Sequence, residues 1–208
     1  MGIYADRIGP RLVKCVCSSP DVAAERAKVV PQASGVVLEI GFGPGLNLSH
    51  YDPRQVDRVI GVDPNEGFLR LRSGDRPPVP VEVLRAPAEA IPLPDAVADT
   101  AVVTYTLCSV EDPARALAEV RRVLKPGGRV LFLEHGRANE AGVARWQDRL
   151  NPLWRRLAVG CNLNRPIVRL LEGAGFRIEN LDQHYLRATP RPVGFLSCGS
   201  ARPLTAAA

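Results

Sequence analysis

Val36-Val37-Leu38-Glu39-Ile40-Gly41-Phe42-Gly43-Pro44-Gly45 is the stretch that decides the fold. Its first five residues are almost continuously apolar and rich in β-branched side chains, which predicts a strand buried on both faces, as in a parallel sheet. Three glycines at alternate positions follow. They predict a bend where main chain passes close to a ligand, because no side chain stands in the way. Outward from it, Arg58-Val59-Ile60-Gly61-Val62-Asp63, Val81-Glu82-Val83-Leu84, Thr100 to Tyr105 and Arg129 to Glu134 read as further buried strands. Helical patterns lie between them. The clearest opens at Asp112-Pro113, carries Leu117, Val120 and Leu124 along one face, and stops at Lys125-Pro126-Gly127-Gly128. The alternation predicts a doubly wound α/β fold, a seven-stranded and mostly parallel sheet with helices on both faces.

Towards the C-terminus the rhythm changes. A helix from Pro166 to Ala174 precedes strands at Phe176 to Asp182 and Val193 to Cys198, and no helix is expected between those two, so the last strand should be antiparallel. Two helical candidates, Ile3 to Cys17 and Asp21 to Ala33, precede the first strand. Residues 1–35 are therefore expected to be a helical lid or flank, and 36–208 the main domain. The insertion at 136–165 should lie over the strand ends, where ligand sites form.

With 208 residues, 46% hydrophobic and 24% charged, the composition argues for one globular domain and against disordered or fibrous classes. The basic excess, 27 against 22, comes almost wholly from arginine, since only Lys14, Lys28 and Lys125 are lysines; it permits acidic partners without requiring them. No apolar run approaches the roughly 18 residues of a membrane span. Asp6, Arg7, Arg11 and Lys14 argue against a signal peptide, so a cytoplasmic location is expected. The five cysteines, 15, 17, 108, 161 and 198, are odd in number and scattered. Cys15-Val16-Cys17 is tighter than a zinc pair, which predicts free thiols and no metal. The tail Ala206 to Ala208 is the one low-complexity tract.

The glycine bend lacks the fourth small residue of a dinucleotide fingerprint, having Leu46 there, and Glu39 just ahead of it would repel a pyrophosphate. A cationic or zwitterionic ligand fits better. Asp63, ending the second strand, stands where a carboxylate accepts from a ribose diol. A ribose, no phosphate and a positive far end together describe S-adenosylmethionine.

The glycine bend, Asp63-Pro64-Asn65, the run Ala88-Glu89-Ala90-Ile91-Pro92-Leu93-Pro94-Asp95 and Leu124 to Gly128 resemble the successive motifs of class I methyltransferases. More narrowly, Thr106-Leu107-Cys108-Ser109-Val110, Leu133-Glu134-His135, Arg145-Trp146-Gln147 with Asn151 to Trp154, and Gly160-Cys161-Asn162-Leu163 are similar to stretches of the thiol S-methyltransferases of animals and their bacterial relatives, over about residues 36 to 198. The resemblance implies a Rossmann-like fold and methyl transfer from S-adenosylmethionine to a small, lipophilic acceptor. A thiol leads; a quinone, phenol or phospholipid amine are alternatives within the class. The animal proteins carry a hydrophobic membrane-binding helix at the front, where this chain has a charged segment; peripheral membrane contact stays open, as does the oligomeric state.

Carried over residue by residue, Glu39, Gly41, Phe42, Gly43, Gly45, Asp63, Pro64, Asn65, Ala88, Glu89, Thr106 and Leu107 are the expected cofactor-binding set. Pro87 stands where many class I enzymes hold an aspartate for the adenine amino group. His135, at the end of the fifth strand, is the candidate general base. Trp154, Cys161 and Asn162 are the candidate acceptor contacts. Seven arginines between Arg137 and Arg169, interleaved with Trp146, Leu150, Leu153, Trp154 and Leu157, suggest an amphipathic helix with its apolar face inward. Two readings from other classes remain to be separated: a nucleic-acid-associated module that keeps the fold, and a nicotinamide-dependent oxidoreductase.

Overall fold

A computed structural model describes residues 8–72, 74 and 76–204. The start of the first expected helix, Ile3 to Arg7, and the Ala206 to Ala208 tail lie outside the described residues. The strands are β1 (Gly35–Ile40), β2 (Val56–Val62), β3 (Val81–Leu84), β4 (Ala98–Thr104), β5 (Leu124–His135), β6 (Phe176–Tyr185) and β7 (Phe195–Pro203). They form one sheet in the order β3-β2-β1-β4-β5-β7-β6. The pairs among β1 to β5 are parallel, and β7 runs antiparallel between β5 and β6. Chain order reverses at β1, between β2 and β4, and such a switch point opens a crevice beyond the carboxyl ends of the strands.

Seven helices accompany the sheet among the described residues: α1 (Gly9–Cys17), α2 (Pro20–Val29), α3 (Glu66–Leu69), α4 (Pro113–Val123), α5 (Ala141–Leu157), α6 (Ile167–Gly173) and α7 (Arg191–Gly194). Two apolar layers follow from the period-two alternation of the central strands. Leu38, Ile40, Ala101, Val103, Val130 and Phe132 meet Leu117 and Val120 of α4 and Leu171 of α6. Val37, Val59, Val102, Leu131 and Leu133, on the other face, meet Val29, Val30 and Phe42. Asp112 caps α4, its Oδ1 accepting from the Ala114 and Arg115 amides at 3.0 Å, and Pro113 occupies the first helical position.

Of the helical patterns expected between strands, only the 3₁₀ turn Leu48–His50 lies between β1 and β2 and no helix lies between β3 and β4 among the described residues, and the expectation needs adjusting in two further places. The single turn α7 stands where no helix was expected between the last two strands, and β7 begins at Phe195 and runs on to Pro203. One turn is far too short for the crossover that a parallel pair needs, so the antiparallel pairing survives. The second is the packing of α5, described with the site.

Candidate active site

A cleft of about 750 Å³ opens at the carboxyl ends of β1, β2, β4 and β5. Leu12, Val13, Val16 and Cys17 of α1 and Val22 and Arg26 of α2 wall one side. On its floor lies the glycine bend, where Gly41 and Gly43 have left-handed φ values of +69° and +54°. A Cβ on Gly41 would fall 2.0 Å from Thr106 Oγ1, so the first glycine is required by packing. A Cβ on Gly43 would meet only Gly41 O at 3.7 Å and Asp63 Oδ2 at 3.9 Å, so this bare stretch of main chain faces open cleft. Asp63 is buried beside it: Oδ2 accepts from the Gly43 amide and Oδ1 from the Asn65 amide, both at 2.8 Å. Burial pushes its carboxyl above the ordinary range, and the two amides oppose that shift.

Behind the bend lies a buried polar network. Glu39 takes Asn47 Nδ2 on Oε1 at 2.9 Å and the Tyr51 hydroxyl on Oε2 at 2.7 Å. Burial drives its carboxyl up to about 7, against the pull of those donors and of Arg26. Arg26 reaches in from α2 and donates from Nη1 to Asn47 Oδ1 at 2.6 Å and to Thr104 Oγ1 at 2.7 Å, its guanidinium 5.1 Å from the Tyr105 ring. The N-terminal helices are thereby tied to the floor of the cleft by a buried cation.

Beyond β4 the chain turns at Tyr105, φ +53°, and its next three amides are gathered by one carboxylate. Glu134, fully buried, accepts from the amides of Thr106 at 2.6 Å, Leu107 at 3.0 Å and Cys108 at 3.3 Å. His135 follows at the end of β5, and its Nε2 lies 2.7 Å from Cys161 Sγ, which itself lies 3.3 Å from Cys108 Sγ. Asn162 fastens this corner: its amide and its Nδ2 both donate to Cys108 O at 2.8 Å.

Of the residues expected from sequence, Glu39, Gly41, Phe42, Gly43, Asp63, Pro64, Asn65, Thr106, His135, Trp154 and Cys161 line the cleft. Gly45, Ala88, Glu89, Leu107 and Asn162 are not among its lining residues. Gly45 turns the chain against Leu48 and Phe42, Leu107 is buried in the core, Glu89 Oε1 accepts from the Asp112 amide at 3.0 Å, and the Asn162 side chain bonds to Cys108 O. His135 Nε2 lies against the Cys161 thiol. Arg26, Asn47, Thr104 and Glu134 escaped the sequence reading. Glu134, directly before His135, carried a signal, because a carboxylate inside an apolar strand needs buried donors.

The inward apolar face expected of α5 is corrected. Ala144 and Gln147 are its buried residues, while Trp146, Leu153 and Leu157 are more than half exposed. The helix is held by the Gln147 amide, which donates to Gly136 O at 2.8 Å and accepts from the Ala138 amide at 2.8 Å, so a narrow polar contact replaces a broad apolar one. Within the arginine cluster Arg137 pairs with Asp148 at 2.6 Å, and Arg165 donates to Leu107 O.

Three buried polar atoms on the wall of the cleft, Arg26 Nε, Tyr105 OH and Trp154 Nε1, have no hydrogen-bond partner among the described residues. Buried donors seldom go unmatched, so the cleft suits a ligand with acceptors as well as apolar parts, and the nucleoside and amino-acid ends of S-adenosylmethionine meet that requirement.

A methyltransferase-domain family model matches residues 38–132. Thiol S-methyltransferase TMT1B of Homo sapiens is 37% identical over 175 residues, covering 80% of this chain and 69% of the human protein. Thiol S-methyltransferase TMT1A of Homo sapiens is 38% identical over 152 residues, covering 70% and 62%. The chain spans between 59% and 69% of the length of the curated thiol S-methyltransferases it matches. A solved SAM-dependent methyltransferase of Methanosarcina mazei, 22% identical, superposes with a TM-score of 0.60 over 83% of this chain and 94% of that one, a likeness of fold. Together, the switch-point cleft and these matches define the class as enzymes that take a methyl group from S-adenosylmethionine. The chain belongs to the class I S-adenosylmethionine-dependent methyltransferases and is related to the thiol S-methyltransferases.

Proposed function

We propose that the protein methylates the sulfur of a small, lipophilic thiol. The observation that carries this reading is the meeting of two thiols and an imidazole, Cys108, Cys161 and His135, on the wall of a largely apolar cleft that also contains the glycine bend. In this reading the bend from Gly41 to Gly45 and the group Asp63, Pro64 and Asn65 hold the cofactor, with Thr106 near its reactive end. When bound, S-adenosylmethionine supplies an electrophilic methyl on a positive sulfur. The apolar walls align the acceptor and strip its water, which raises the reactivity of a soft anionic nucleophile. Residues 1–35 serve as the flank and 136–165 as the insertion that supplies Trp154 and Cys161. Apolar side chains of α1 and α5, Leu12, Val16 and Leu157, line the cleft and suit a lipophilic acceptor.

The relatives named as thiol S-methyltransferases support sulfur over oxygen, nitrogen or carbon. No helix among the described residues is long and apolar enough to cross a membrane, and the five free cysteines accord with a reducing, cytoplasmic setting.

A screen with methyl-labelled S-adenosylmethionine against alkyl and aryl thiols, phenols, quinones and a phospholipid amine tests the proposal. Label is expected in the thioether products, with far lower turnover of the others. Turnover of a phenol, quinone or amine without thiol methylation would overturn it.

A further inference from the structure

We infer that Cys108, His135 and Cys161 form a zinc-type metal site whose open position faces the cleft. The three ligands come from separate places, the β4–α4 loop, the end of β5 and the turn after α5, separated by 27 and 26 residues. A search for close cysteine pairs misses such a set. In space, Sγ of Cys108, Sγ of Cys161 and a ring nitrogen of His135 all lie within 4.8 Å of one another. Around a tetrahedral zinc with Zn–S near 2.3 Å and Zn–N near 2.0–2.1 Å, the S···S edge is about 3.8 Å and the N···S edge about 3.6 Å. The structure holds them at 3.3 and 2.7 Å, so a small outward rotation of the side chains admits the ion.

Two thiolates and one imidazole are a borderline-soft donor set, and three protein ligands with a fourth place open is the arrangement of catalytic zinc sites. The supports are rigid. Glu134 holds the Cys108 amide, Asn162 holds the Cys108 carbonyl from two donors, and His135 continues the strand that carries Glu134. Outer contacts of this kind fix ligand direction in metal sites. All three ligands line the cleft. A second trio, Glu25, His184 and Cys198, differs on each count: Glu25 is bound by Lys28 at 2.7 Å, His184 lies between Glu25 and Asp182, and none of the three lines the cleft.

The open position suits a thiolate, and this part rests on the proposed function. As an acceptor thiol binds, its S–H bond breaks, a sulfur–metal bond forms, and the proton leaves to water in the cleft. Filling the site by metal alone releases the thiol protons of Cys108 and Cys161 in the same way.

The test uses the full chain, reduced and stripped with a chelator, then titrated with Co²⁺ and with Zn²⁺ in the absence of any methyl donor. One Co²⁺ per chain should bind with a thiolate-to-metal charge-transfer band and strong tetrahedral d–d absorption, and Zn²⁺ should displace it. Cys108→Ser and Cys161→Ser should each weaken Zn²⁺ binding by more than the roughly 10- to 100-fold typical of losing an outer contact. Cys15→Ser, at an exposed position, should leave binding unchanged. A monothiol should alter the d–d spectrum. Absence of the charge-transfer band, or metal affinity and band intensity unchanged in both cleft variants while their circular dichroism stays native, would overturn the site; a d–d spectrum insensitive to thiol would overturn the open position. Failure of thiol methylation with the cobalt spectrum intact would instead count against the proposed function alone.

Discussion

Asp63 shows how much one carboxylate does in this cleft. It holds the Gly43 and Asn65 amides, fixing the bend, and it faces the space where a ribose diol is proposed to sit. Asp63→Ala should weaken adenosylhomocysteine binding by about 1–3 kcal/mol, the usual consequence of leaving buried donors unmatched, as read by titration calorimetry. Unchanged affinity would remove Asp63 from the site. Glu39 makes a different prediction. Its folded value of about 7 lies above the ordinary 4.5, so between those values the folded chain keeps a proton that the unfolded chain has released. Stability contributed by this group is therefore full below the lower value and falls as pH rises through the window, by about 3 kcal/mol in all. Glu39→Gln should abolish that part of the decline. Urea unfolding at about pH 5 and about pH 7.5 should show the unmodified chain losing more stability than the variant, and parallel losses would contradict the assignment. The sequence displayed Asp63 and Glu39 because each ends or interrupts an apolar strand. Asn47, Thr104 and Arg26 carried no such mark: their importance comes from burial and mutual contact, which spacing does not reveal.

At the scale of elements, β2 and the glycine bend are locked together through Gly61. A Cβ there would fall 2.4 Å from the ring of the buried Phe42, and no flexible side-chain end is available to yield. Gly61→Ala should cost about 1–3 kcal/mol of stability through overpacking and shift the bend that Phe42 carries. Chemical denaturation reads the first effect and adenosylhomocysteine affinity the second; an alanine tolerated on both would show that the packing is slack. The strands β1 to β5 were legible because a parallel sheet buried on both faces writes itself as continuous β-branched runs, and α4 because cap, proline and apolar stripe agree. α5 was misread for a physical reason. Its apolar residues lie along a stripe that the fold leaves largely exposed, and its attachment runs through Gln147, a polar residue that periodicity counts as surface. α7 and the true span of β7 were missed because a single turn beside a glycine leaves almost no periodic signal.

For the whole molecule, the sheet brings residues remote in sequence to one crevice: the bend after β1, the carboxylate after β2, the Glu134 clamp and the Cys108–His135–Cys161 corner. The mostly parallel sheet with its antiparallel last strand was legible, and most of the residues named for a cofactor line the crevice at its strand ends. The corner was half legible, because His135 and Cys161 stood out as candidates while their contact, and the arrival of Cys108 beside them, are properties of three-dimensional closure. A ligand that binds the folded cleft alone must stabilise the entire chain. Adenosylhomocysteine at about 100 times its dissociation constant should add about 2.7 kcal/mol, raising Tm by about 5–11 °C. The most direct measurement is a calorimetric titration of the full chain and of Gly43→Ala with adenosylhomocysteine. At Gly43 a methyl group fits sterically but projects toward the cleft, and the left-handed backbone costs only about 1–2 kcal/mol, so fold and binding separate. The account predicts one site per chain in the native protein and a loss of at least about tenfold in affinity for a variant that still unfolds cooperatively. No heat with the native chain, or equal affinity in the two, would contradict it.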